Sequence, residues 1–180
     1  MQQQPPTSPA QRPELDEDTL AFVRRVFGLV RAGEAVELSS LLERGLPRNL
    51  RNERGDSLLM LACYHGHFDA AKTLLEHGAD PEVQNDAGQT PLAGVAFKGD
   101  LPIATLLLDH GAQVDNAGPN GKTALMFAAM FNRVDIAQLL LARGADPLRP
   151  DADGNTILDA ARKMGAHDTA GLLASATGAA

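Results

Sequence analysis

A chain of 180 residues with a formal charge of -7 and a pI near 5.1 repels phosphate backbones and anionic membrane surfaces on average, which argues against nucleic-acid and membrane partners. Its hydrophobic content of 44% suffices for one domain, but only 4% is aromatic, with no Trp and one Tyr. That balance suits small stacked helices packed through Ala and Leu better than one globular core. Cys63 is the one cysteine, so an intramolecular disulfide is excluded and a reducing compartment fits.

Residues 1–15 are rich in Gln and Pro and have no periodic apolar face, so a disordered tail is expected there. Gln2 to Pro13 carries one charge, Arg12, and does not form the basic region and apolar run of a secretory signal. The apolar stretch from Ala21 to Val30 is interrupted by Arg24 and Arg25 and is too short to span a bilayer. A cytoplasmic location is therefore expected. Asp16 to Asp18 offer an N-cap and a favourable charge for a first helix, along which Leu20, Val23, Phe27 and Val30 follow at helical spacing.

From there the chain repeats. Gly55, Gly88, Gly121 and Gly154 are 33 residues apart, as are Gly45, Gly78, Gly111 and Gly144; Gly33, Gly66, Gly99 and Gly165 keep the same step, with Asn132 in the gap. Twelve of the 17 glycines lie on these three ladders, so one backbone geometry recurs at a fixed interval. In each unit a glycine turn leads to a Ser or Thr N-cap, at Ser57, Thr90, Thr123 and Thr156. A helix of eight or nine residues is expected next, then a tight turn at Gly66, Gly99 or Asn132. The second helix ends in a Leu pair and a C-terminal glycine: Leu74 and Leu75 before Gly78, Leu107 and Leu108 before Gly111, Leu140 and Leu141 before Gly144.

This unit resembles the ankyrin repeat, whose signature opens D-x-x-G-x-T-P-L-H-x-A and closes L-L-x-x-G-A-D. The resemblance covers about residues 20–175, and the third unit carries Gly88, Thr90, Pro91, Leu92, Leu107, Leu108, Gly111 and Ala112 in register. It implies an all-α solenoid of about five helix-turn-helix units joined by short β-hairpin-like loops. The expected organisation is the tail at 1–15, a single domain at 16–175 and a flexible end at 176–180. Within the domain we place an N-terminal cap at 16–50, repeats at 51–84, 85–117 and 118–150, and a C-terminal cap at 151–175. The family's His after T-P-L is replaced by Met60, Ala93, Met126 and Asp159, so apolar packing is expected where a Thr-to-His relay would run. In the last unit His167, Asp168 and Thr169 stand at apolar positions of the second helix, which suggests a polar outer face ending the stack.

Few residues suggest chemistry. His65, His67 and Asp69 form the one dense group of potential metal ligands, but His67 occupies a position where the family has its own turn histidine, so no metal or other cofactor is assigned. His77 and His110 are expected at helix C-termini, where the dipole favours a partly cationic ring. Cys63 aligns with Ala96 and Ala129 and reads as a buried small hydrophobe. Ser39, Ser40 and Ser57 have no nucleophile-elbow context, and GPNGKT at 118–123 lacks the spacing of a phosphate loop. The chain is not read as an enzyme.

The resemblance implies binding of another protein through a concave groove lined by the C-terminal ends of the inner helices and by the hairpin tips. Carried over by register, the groove residues are Tyr64 and His65, Phe97 and Lys98, and Met130 and Phe131, with Arg54, Asp56, Gln89 and Lys122 at the tips. Tyr64, Phe97 and Met130 are 33 residues apart and should form an apolar ridge beside Lys98 and Lys122. The protein is expected to be a monomer acting as an adaptor or as the dedicated regulatory or inhibitory subunit of one enzyme or toxin. A haem or small-molecule site at His65 and His67 is the remaining alternative.

Overall fold

Helix starts in this chain are set by short side chains that replace missing backbone partners. Asp16 accepts a hydrogen bond from the Thr19 amide at 2.7 Å, and Ser57, Thr90, Thr123 and Thr156 accept from Met60, Ala93, Met126 and Asp159. The computed structural model describes residues 16–178. It contains α1 (Glu17–Ala32), α2 (Ala35–Glu43), α3 (Leu58–His65), α4 (Phe68–Glu76), α5 (Pro91–Lys98), α6 (Leu101–Asp109), α7 (Ala124–Met130), α8 (Val134–Ala142), α9 (Ile157–Lys163) and α10 (His167–Thr177). The expected tail at 1–15 lies outside the described residues.

These helices form five antiparallel pairs. The inner helices α1, α3, α5, α7 and α9 pack in series, and the outer helices α2, α4, α6, α8 and α10 pack behind them. Ala62, Ala128 and Ala161 are fully buried on the inner helices, and Leu74, Leu107 and Leu140 on the outer ones, so small residues let each pair approach the next. Met60, Ala93 and Met126 are also buried, and apolar packing does take the place of the missing histidine relay. Asp159 instead accepts from the Thr156 hydroxyl at 2.8 Å, closing a reciprocal cap in the last repeat.

All twelve ladder glycines adopt positive φ. At Gly121 there is a second constraint, because a Cβ would stand 2.6 Å from the Ala152 amide nitrogen of the next hairpin. Asn132 takes the same left-handed conformation at φ 54°, and its side chain is put to use. Its amide donates to Asp168 at 2.8 Å, while its oxygen accepts from the Thr169 amide at 3.1 Å.

Thr169 corrects the expectation of a polar outer face. It is fully buried, and its hydroxyl donates to the Ala129 carbonyl at 2.8 Å, tying the last pair to the preceding inner helix. Helix α10 also continues to Thr177, so residues 176 and 177, expected to be flexible, are helical. Leu20 is 37% exposed, whereas Val26 is fully buried. At 16 residues α1 is twice the length of α3, so its first turns extend past the partner they would pack on.

The hairpins hold together through side-chain braces and sparse backbone pairing. Asn52 accepts from the Arg54 and Asp56 amides, Asn85 from Ala87 and Gln89, and Asp151 from Asp153 and Asn155. The Asn155 amide and the other donors hold the Asp151 carboxyl below the usual carboxylate range. Neighbouring tips are stitched by Asp86 N–H to the Arg54 carbonyl at 3.0 Å and by Ala152 N–H to the Asn120 carbonyl at 2.9 Å. At the equivalent place in the intervening joint stands Pro119, which has no N–H to donate. Among the described residues strand-type pairing is limited to one isolated bridge, Arg51 to Ser57, so the hairpins are turns more than ribbons.

Candidate partner-binding groove

Helices α3, α5, α7 and α9 each run from a hairpin to a turn, which sets their exposed faces beside the hairpin tips. A groove of about 750 Å³ opens there between the first two hairpins and the α3 and α5 helices. Met60, Leu61, Tyr64, Pro91 and Gly94 supply its apolar lining, and Arg31, Arg54 and His65 stand at its edge.

The residues expected to form a ridge differ in what they touch. Tyr64 is 50% exposed, and the Lys98 ammonium lies over its ring at 4.7 Å from the centroid. His65 meets the same ring edge-on at 5.5 Å. Further along, Phe97 and Phe131 pack on each other edge-to-face at 4.4 Å. Phe97 keeps 39% of its surface exposed, while Met130 and Phe131 are half-buried and Met130 packs against the core.

The tips divide in the same way. Arg54 is exposed and Gln89 faces the groove, where its side-chain oxygen accepts from Asn85 at 3.2 Å. Asp56, expected as a contact residue, is instead a brace: it is only 9% exposed and accepts from the Asn52 and Asn85 side-chain amides at 3.0 Å. A carboxylate four residues past the braced Asn is drawn inward by that Asn, a local logic the repeat register alone does not reveal. Lys122 is half-buried beside Asp151, and its charge helps hold that carboxyl ionised.

The residues considered for chemistry have structural partners. Cys63 is 2% exposed, and burial pushes its thiol pKa far up, so it is no thiolate nucleophile. His77 and His110 each place Nδ1 2.8 and 2.9 Å from the carbonyl four residues back, closing the ends of α4 and α6. His67 begins α4 with Nε2 2.8 Å from the Arg31 carbonyl, and its ring fills the space over Gly33. The His65 and His67 rings stack at 6.0 Å. Burial, followed by the charges of His67, Arg31 and Lys98, lowers the His65 pKa and favours its neutral form. Among the described residues no three His, Cys, Asp or Glu side chains converge as a metal site, and no helix is long and apolar enough to cross a membrane.

Sequence reasoning missed Gly94, which lies in the groove but on none of the three ladders. The signal was available in the register: the inner-helix position that holds Leu61 and Phe127 in the flanking repeats is empty here.

Comparison with known proteins agrees with this architecture. The family model described as ankyrin repeats in three copies matches residues 30–117, 59–151 and 94–179. Over 61 residues the chain is 57% identical to an ankyrin repeat protein of Pseudomonas aeruginosa, a stretch that covers 34% of this chain and 36% of that relative. With the 33-residue period, the paired helices and the family match all in one register, the chain belongs to the ankyrin-repeat family, whose members are generally protein-interaction modules.

Proposed function

We propose that this protein binds a partner protein through the concave face, with Tyr64, Phe97 and Phe131 as anchors and Arg54, Gln89, His65 and Lys98 around them. The observation that carries this reading is the exposure of Tyr64, at 50%, on the lining of the 750 Å³ groove, with Phe97 exposed at 39% at the corresponding place one repeat further along. Aromatic surface left open to water at the rim of a concavity is the usual make-up of a binding hot spot. The second helices present Glu76 and Lys72 as a mutually paired, solvated face, which supplies no comparable anchor. A cytoplasmic site of action goes with the lone buried cysteine.

Affinity capture from the native cell with the intact chain, followed by mass spectrometry, tests the proposal when repeated with Phe97→Ala and Phe131→Ala. Loss of the captured protein, by about 2 kcal/mol of affinity or more for a hot-spot residue, is expected. Glu76→Ala should leave it in place. One stoichiometric partner would mark a dedicated regulatory subunit and several would mark an adaptor. Capture that survives both aromatic substitutions in folded protein removes the concave face as the binding surface.

A further inference from the structure

Three features of the groove's N-terminal end fit one another. The first is Gly94. It lies inside α5 with no positive φ, and a Cβ there would meet nothing within 4 Å. A glycine within a helix weakens it, and neither backbone conformation nor packing requires one here. Its counterparts one repeat away, Leu61 and Phe127, carry large side chains, so Gly94 leaves a gap in the floor of the groove.

The second feature is charge. A smaller cleft of about 430 Å³ shares Arg31, Glu53 and Arg54 with the groove and adds Arg24 and Arg51. Four arginines thus gather at one end of a chain whose net charge is -7. The third is that two of the three nearby carboxylates are engaged: Asp86 accepts from Arg51 at 3.1 Å, and Asp56 accepts from the two braced asparagines and lies 3.6 Å from Arg54, which leaves Glu53 facing the four arginines. Among the described residues, neither Arg24 nor Arg31 has a carboxylate within 4.0 Å. Arg31 rests 6.0 Å from the Phe27 ring centre, which leaves its donors free for an incoming anion.

We propose that this end of the groove takes an acidic segment of the partner protein, lodging one large apolar side chain over Gly94 between α3 and α5 and setting adjacent carboxylates against Arg24, Arg31 and Arg54. The inference rests on the groove reading above and adds the chemistry and polarity of the occupant. The arginine end provides the charge, and the Tyr64 and Gly94 gap provides the apolar seat. Beside these arginines Tyr64 is the one exposed Phe or Tyr ring lining the groove, too few to stack successive bases, and the chain's overall charge opposes a nucleic-acid backbone, so a protein segment is the better match.

Random dodecapeptides displayed on phage and selected on the full chain test this directly. Enriched sequences should carry an aromatic or large aliphatic residue with Asp or Glu within three positions. Synthetic copies should bind the Gly94→Leu and Arg31→Glu variants at least tenfold more weakly and the Gly94→Ala variant as well as wild type. Gly94→Leu faces open space on a helix, so circular dichroism should report it folded. Peptides without acidic enrichment, equal affinity for Gly94→Leu, no enrichment at all, or a mixed-sequence RNA oligonucleotide that competes with the peptides at equal affinity would each overturn the inference. Peptides that ignore Gly94 but are lost with Phe97→Ala would keep the groove and sink this seat. Peptides indifferent to Tyr64→Ala, Phe97→Ala and Phe131→Ala would instead sink the groove reading beneath it.

Discussion

The two halves of the concave face share a 33-residue frame but differ in what their side chains touch. In the N-terminal half Tyr64 borders an open groove, Gly94 leaves its floor empty, and Arg24 and Arg31 have no carboxylate partner among the described residues. In the C-terminal half Phe97 and Phe131 pack on each other, Lys122 lies beside Asp151, and Lys163 donates to Asn155 at 2.8 Å. An equivalent repeat position therefore does not confer an equivalent role. Side chains in the closed half pack on one another and still present part of their surface, so Phe97 and Phe131 serve folding as well as the proposed contact, while those in the open half are left to a partner alone.

Substitutions in the closed half should accordingly lower stability, and the largest effect is expected at a hairpin joint. Gly121→Val combines a left-handed φ of 70° with a backbone nitrogen 2.6 Å from the new Cβ, so it should lower unfolding free energy on the order of 3 kcal/mol or more. Thr169→Val, nearly isosteric, removes the hydroxyl's bonds to the Ala129 carbonyl and to Asn132, both of which keep backbone partners, and about 1 to 2 kcal/mol should be lost in chemical denaturation. Gly144→Val keeps a φ of 89° but meets nothing within 4 Å, which leaves backbone strain of about 1 to 2 kcal/mol. Equal midpoints for the Gly121 and Gly144 variants would show that the tips are not sterically locked.

Smaller effects separate the two halves more finely. A double-mutant cycle on Phe97 and Phe131 should return a coupling of about 0.5 to 1.5 kcal/mol, as expected of an edge-to-face pair. In the open half Gly94→Ala should raise stability by about 0.5 to 1 kcal/mol, and Tyr64→Ala should stay within roughly 0.5 kcal/mol of wild type. A destabilising Tyr64→Ala would mean that the open half is also part of the core, and the comparison would fail.

Much of the frame is legible in the sequence because each repeated device is local. A Ser or Thr cap, a left-handed glycine and a Leu pair act within a few residues, so their spacing shows in the chain. The contacts that cross repeats are less visible. Thr169 looks like a surface residue until Ala129 and Asn132 close over it, and Asp56 looks like a free tip until Asn52 and Asn85 reach it. The groove aromatics could be located by register, but their division into a free Tyr64 and a mutually packed Phe97 and Phe131 depends on side-chain directions between repeats. Gly94 was hidden for the opposite reason, since it is informative through the side chain it lacks.

A partner seated on the concave face must lie within crosslinking reach of the residues that line it. Site-specific photocrosslinking in the native cell tests it most directly, with a benzophenone amino acid replacing Tyr64, Gln89 or Glu76 one at a time in the intact chain. One and the same crosslinked protein is expected from the Tyr64 and Gln89 positions and none from Glu76. Crosslinks from Glu76 with none from Tyr64 or Gln89 would place the partner on the outer helices and contradict the concave-face proposal.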